Sequence, residues 1–190
     1  GIGADGGVYR LKYVPGKVTL TPRPLTVTIG NAERLYGAGN DILAGTGVTF
    51  EGFATWDQRN WRWGDHYTLE SVAEDADVGE YDIDFIALPG DLKRALENYD
   101  ITYVPGTLEV TPRRLVIDVD GALRWYGDPN DFSSAIVSVG SDGDGLALDH
   151  TLADLGIDQS ALTSPATSTS APGLYDLQLD PAALSPLAQN

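Results

Sequence analysis

The sequence predicts a mainly β protein built as two tandem small β-sandwich modules of Ig-like type, and three observations lead there. YVPGKVTLTPRPLTV at residues 13–27 returns as YVPGTLEVTPRRLVI at residues 103–117, so the chain states one unit twice. Apolar and polar residues alternate with a period of two over many short runs, the pattern of half-buried strands. Gly, Pro, Asn and Asp break the chain between those runs, and helical periodicity is thin.

The repeat is ungapped through its first third. Tyr9, Tyr13, Pro15, Gly16, Pro22, Leu25, Tyr36 and Gly37 match Tyr99, Tyr103, Pro105, Gly106, Pro112, Leu115, Tyr126 and Gly127, all ninety residues apart. Further on the spacing drifts to ninety-four, where Val78-Gly79-Glu80-Tyr81-Asp82-Ile83 faces Pro172-Gly173-Leu174-Tyr175-Asp176-Leu177. Asn98 precedes the second YDITYVPG and Asn190 takes the corresponding place, which divides the chain into a first module at 1–98 and a second at 99–190.

Each copy opens on a hairpin signal. Tyr9, Leu11 and Tyr13 alternate with Arg10 and Lys12, then Val18 and Leu20 with Thr19 and Thr21; the second copy places Tyr99, Ile101, Tyr103, Leu108 and Val110 inward. Between the two strands of each copy, Pro15-Gly16 and Pro105-Gly106 fit the central positions of a type II turn. A third strand follows, carried by Leu25, Val27 and Ile29 or by Leu115, Ile117 and Val119, and Pro22 interrupts the ladder before it because proline lacks an amide hydrogen. GVTFEGFATW and YDIDFIAL in the first copy, and SSAIVSVG and LYDLQL in the second, read as further strands. Two short helices are predicted: GDLKRALEN at 90–98 and one turn at HTLADLGI, 150–157, capped by Asp149. The former keeps open an alternative architecture, β-grasp-like modules with one short helix each.

Charge and composition exclude several functions. With 28 acidic and 12 basic side chains the formal net charge is -16, which repels nucleic acid and anionic lipid. Cysteine and methionine are both absent, so disulfide and thiol chemistry are unavailable, a composition suited to an oxidising exterior. No apolar run is long enough to span a bilayer, so no membrane insertion is expected. An enzyme is not expected either: the two histidines, His66 and His150, fall at unrelated places in the two copies, and no nucleophile elbow, HExxH or phosphate-cradling motif occurs.

NYDITYVPGTLEVTP, the Tyr126-Gly127-Asp128-Pro129 element and the VGEYDI segment at 78–83 together resemble the MBG-type, mucin-binding-like YGX repeats of bacterial filamentous-haemagglutinin-like surface adhesins. The resemblance covers most of both periods and weakens at 51–75 and 141–171. It implies a secreted or cell-surface, largely β stalk or adhesive region in tandem with neighbouring repeats of its own chain. It brings no catalytic residue.

Two local features carry candidate chemistry. TWDQRNWRWGDHY packs Trp56, Trp61, Trp63 and Tyr67 among Arg59, Arg62 and His66, and the second copy has nothing like it. Aromatic faces stack on sugar rings while Arg, Asn and Asp bind hydroxyls, so the segment reads as a contact site for a host or environmental glycan or glycoprotein. The competing reading is a cation-π packed loop that covers the sheet or joins the modules. SDGDGLALD offers Asp142, Asp144 and Asp149 as hard oxygen donors for calcium, without the spacing or terminal glutamate of an EF-hand, against the reading of a solvated acidic turn. The function expected is therefore a tandem adhesin repeat serving as stalk and glycan or protein contact surface, with a ligand-free spacer or a calcium-rigidified linker as alternatives.

Overall fold

The computed structural model describes residues 12–60, 67–87 and 96–188. It is mainly β, a sandwich-like set of mixed sheets with short helices. Its first unit is organised around two extended runs, 23–35 and 99–111, that lie side by side and point the same way. The first run comprises β1 (Arg23–Ile29) and β2 (Ala32–Leu35); the second comprises β6 (Tyr99–Val104) and β7 (Gly106–Thr111). β1 pairs in parallel with β6 from Arg23↔Tyr99 to Thr28↔Val104, and β2 pairs in parallel with β7 from Ala32↔Leu108 to Leu35↔Thr111. Both registers are offset by seventy-six residues, so the four strands are one ribbon that changes sheets midway.

Either side of that switch the ribbon acquires different neighbours. β3 (Val48–Glu51) joins β1 to give the order β3-β1-β6, while β5 (Gly79–Ala87) joins β7 and β4 (Thr68–Glu70) joins β5 to give β2-β7-β5-β4. Alternation along the strands then supplies the interior. Leu25 and Val27 pack with Phe53, Leu96 and Tyr99; Ile29 packs with Leu43, Leu69, Ile83, Leu108 and Val110, and Val48 and Phe85 touch both clusters. Leu108 and Val110 are 0% and 1% exposed, each burial stabilising by about 1.5–3 kcal/mol.

The predicted hairpin at Pro105-Gly106 does not form. β6 and β7 do not pair with each other, and Gly106 is not among the glycines of positive φ that a type II turn requires. The dipeptide is needed for a different reason. At the switch the two runs cross so closely that a Cβ on Gly106 would sit 2.1 Å from the Gly30 carbonyl oxygen. Pro105 has no amide hydrogen to leave unpaired there, while Thr107 N donates to Asn31 Oδ1 at 2.9 Å and Gly30 N to Gly47 O at 2.8 Å. Of the first copy of the motif, Tyr9, Arg10 and Leu11 lie outside the described residues; among the described ones, 12–22 carry no strand, and Tyr13, Val18 and Leu20, read from the sequence as inward, are exposed.

Residues 113–188 repeat the first unit in abbreviated form. β8 (Ile117–Val119) pairs with β9 (Val137–Val139) in the register of β1 with β3, Ile117↔Val139 standing for Val27↔Phe50. β10 (Leu162–Thr163) pairs with β11 (Gln178–Leu179) in the register of β4 with β5, Leu162↔Leu179 standing for Leu69↔Phe85. Residues 122–125, the counterparts of β2, are not in a strand. The helix expected at 90–98 lies outside the described residues up to position 95, and Leu96 at its end is buried in the first core. The turn of helix expected at 150–157 is instead a run of turns, held by Asp154, whose carboxylate accepts from Thr151 N and Oγ1, and not by Asp149.

The crossing makes equivalent glycines unequal. Gly106→Ala is expected to lower stability by about 2–3 kcal/mol through overpacking against the Gly30 carbonyl, whereas Gly16→Ala, with nothing within 4 Å of its added methyl, stays within about 0.5 kcal/mol of the parent. Urea unfolding at low protein concentration separates them, and equal losses would restore the turn reading.

Candidate functional site

The tryptophan-rich segment begins on α1 (Thr55–Asn60), a short helix that follows β3. Of the residues read as a contact site, Trp56 and Tyr67 are described with their side chains. Trp56 is 77% exposed, and Tyr67 is half-buried with its ring edge-on to Phe85 at 5.8 Å and 90°. Arg59 lies on α1, but its side chain is outside the described residues, as are Trp61, Arg62, Trp63 and His66 altogether. One described aromatic therefore faces outward and the other packs inward.

Tyr99, the first residue of β6, anchors this helix. Its hydroxyl donates to Asp57 Oδ2 and accepts from Ala54 N at 3.0 Å, while its ring meets Phe53 edge-on at 5.3 Å and 87°. Burial first, then the hydrogen bond to the Asp57 carboxylate, holds the Tyr99 phenol above its ordinary range, and the Ala54 amide opposes them. Ionising that phenol would place a second negative charge against Asp57.

The acidic turn is held by backbone contacts to two arginines. Asp144 Oδ2 accepts from Arg114 N at 2.7 Å, Asp142 O from Arg114 NH1 at 2.8 Å, and Asp144 O from Arg113. Asp142 and Asp149 are exposed, and among the described residues no group of three or more His, Asp or Glu side chains is arranged to hold a metal ion. The turn also meets the first unit. Tyr36 stacks on His150 with centroids 6.0 Å apart, Arg113 NH1 donates to Tyr36 O at 3.3 Å, and a Cβ on Gly37 would lie 2.5 Å from that of Ala147. Beside this junction opens a cavity of ≈ 380 Å³ lined by Tyr36, Val78, Leu115, Ile117, Leu155 and Leu184 among others.

A polar brace behind each Tyr-Gly pair escaped the sequence reading. Arg34 NH2 donates to Ala73 O at 2.6 Å and Asn40 Nδ2 to Val72 O at 2.8 Å; Arg124 NH2 donates to Thr167 O at 2.6 Å and Asn130 Nδ2 to Ala166 O at 2.8 Å. Gly37 N donates to Glu74 O and Gly127 N to Ser168 O in the same positions. The signal was present: Arg34 and Asn40 recur ninety residues later as Arg124 and Asn130.

The Tyr99 anchor gives the unit an alkaline limit. A raised pKa means the folded state holds its proton longer than the unfolded chain, so this contribution is complete below the unfolded value near about pH 10 and is lost as pH rises through the folded one. Tyr99→Phe is expected to lower stability at neutral pH by about 1–2 kcal/mol and to flatten the fall above about pH 10. Denaturant titrations from pH 8 to 11 check both, and an unchanged alkaline slope would show that Tyr99 is not the group responsible.

Residues 25–109 match the family model of the MBG domain, YGX type, a span that opens in β1 and closes in β7. Neither a curated protein nor a solved structure matches the chain. Among the described residues no helix is long and apolar enough to cross a membrane. The match is bounded by the same parallel strands that close the first unit, so the similarity to the MBG domain of the YGX type, a repeat module found in surface proteins, covers that unit.

Proposed function

We propose that the chain is a piece of a secreted bacterial surface adhesin, in which the repeated framework is a stalk and the tryptophan-bearing segment of the first unit is a contact surface for a glycan or glycoprotein. The folding unit assigned is 23–111, closed by strands that the sequence period places in the next copy. One observation carries the reading: the two units keep the same braces and strand registers, whereas α1 and its exposed Trp56 have no counterpart in the second. A framework copied with its hydrogen bonds, beside a tryptophan-bearing helix that is not copied, divides support from contact. Trp56 presents the flat apolar face that sugar rings stack on, beside Asp57, which is fixed by Tyr99.

A glycan array and a mucin-coated surface test this directly. Trp56→Ala is expected to weaken binding about tenfold or more while leaving the melting temperature unchanged, because the side chain is exposed. Absence of binding by the parent chain would leave the stalk alone as the function, and a lowered melting temperature without a binding loss would make Trp56 a packing residue.

A further inference from the structure

We propose that the peptide bond between Asp128 and Pro129 is a self-cleavage site, cut in mild acid by the carboxyl group of Asp128 itself with the help of Arg124. The dipeptide belongs to the second unit: Gly127-Asp128-Pro129-Asn130 stands where the first unit has Gly37-Ala38-Gly39-Asn40. Such a bond carries two weaknesses. The side-chain carboxyl can close a five-membered ring on its own main-chain carbonyl carbon, an attack within one residue. Proline supplies a tertiary amide, whose nitrogen leaves as a secondary amine.

The turn that carries the bond is fixed on both sides. Gly127, at φ 94°, donates its amide to Ser168 O at 3.1 Å, and Asp128 N donates to Trp125 O at 3.2 Å. Arg124 NH1 donates to the Asp128 carbonyl oxygen at 3.2 Å, while its Nε donates to Asn130 Oδ1 at 2.9 Å and its NH2 to Thr167 O at 2.6 Å. The guanidinium is thus held against the very oxygen that the attack would charge. In the first unit Arg34 NH1 turns to Leu35 O and Glu74 O instead, and makes no bond to the Ala38 carbonyl among the described residues. The Asp128 carboxylate accepts no hydrogen bond among the described residues, and Asp128 and Pro129 are exposed, so the attacking group is free to turn and water reaches the bond.

The reaction needs no co-reactant but water. A carboxyl oxygen of Asp128 adds to its main-chain carbonyl carbon, and the charge gathering on the carbonyl oxygen lies against Arg124. The bond to Pro129 N breaks as that nitrogen takes the carboxyl proton, leaving a cyclic anhydride at Asp128 and a free amino end at Pro129. Water then opens the anhydride to two carboxyl groups. The need for that proton confines the cut to acid. Arg124 is the cation on the turn, and Asp131, the nearest acid in sequence, is engaged by Ser133 N at 2.9 Å. The two pieces stay together afterwards, because the pairing of β8 with β9 and the Arg124 bond to Thr167 both span the cut. The proposal is independent of the glycan contact.

Asp180-Pro181 supplies the comparison within the same chain. There the carboxylate is occupied by Ala182 N at 2.9 Å, and the carbonyl oxygen accepts from the neutral Ala183 amide at 3.0 Å. Mass spectrometry of the whole folded chain held at about pH 5, read after denaturation, is expected to find pieces 1–128 and 129–190 forming about tenfold or more faster than any cut at Asp180-Pro181. In urea, where neither turn exists, the two bonds are expected to break at similar rates. Asp128→Glu lengthens the ring, leaves Arg124 in place and changes an exposed side chain, so it is expected to remove the cut with an unchanged far-ultraviolet spectrum. Arg124→Gln, which keeps donors without the charge, is expected to slow the cut about tenfold. A parent that stays whole, equal cutting of the two bonds in the folded chain, or a rate untouched by either substitution overturns the proposal. So does a rate that rises with protein concentration, since one molecule would then be cutting another.

Discussion

The parallel pairing of residues 23–35 with residues 99–111 is the constraint on which the first unit rests. Parallel neighbours need a long crossover, and here everything from β3 to β5 serves as that crossover, folding back to flank the ribbon on both sides of its switch. Because one constant register runs through both sheets, a slip in either half would turn Leu25, Val27, Leu108 and Val110 away from the interior together. The switch at Gly30 and Gly106 holds that register. A crossing with a carbonyl oxygen where a methyl group would sit admits glycine alone, and the proline before it removes a donor that would have no acceptor.

From this follows the mismatch between period and fold. The sequence repeats every ninety residues from its first YVPG, but the strands that complete a unit belong to the next period. Among the described residues the second period is held by two short antiparallel pairs, β8 with β9 and β10 with β11. The second unit keeps the arginine and asparagine braces of the first and two antiparallel pairings.

Much of this was legible in the residues and some was not. The alternation of Leu25, Val27 and Ile29 gave β1 its inward face, and the repeat itself announced that one plan governs both halves. Pro-Gly between two alternating runs is also the local signature of a hairpin, and local signals cannot report a partner seventy-six residues away. Tyr13, Val18 and Leu20 have the same pattern as Tyr103, Leu108 and Val110, so no property of the segment tells whether a sheet waits for it. The acidic turn illustrates the same limit. Asp144 reads as an oxygen donor by type, and nothing local announces that its Oδ2 accepts from the Arg114 amide or that Ala147 and His150 beside it meet Gly37 and Tyr36 of the first unit.

Direction of travel gives the arrangement its mechanical sense. In an antiparallel hairpin, chain ends emerge together and a pull on them opens ladder bonds one at a time. Here the chain enters the unit at Arg23 and leaves it at Thr111, and since the two runs are parallel these points lie at opposite ends of a ribbon of about 40 Å. Tension between entry and exit therefore acts along the strands and loads the ladders of both sheets in shear, so that many bonds share it at once. The Tyr36–His150 stack and the Arg113 bond to Tyr36 then fix the next unit close to the exit. A unit closed by a strand from the following period also cannot open without releasing its neighbour, which joins successive units more firmly than a linker between finished domains would.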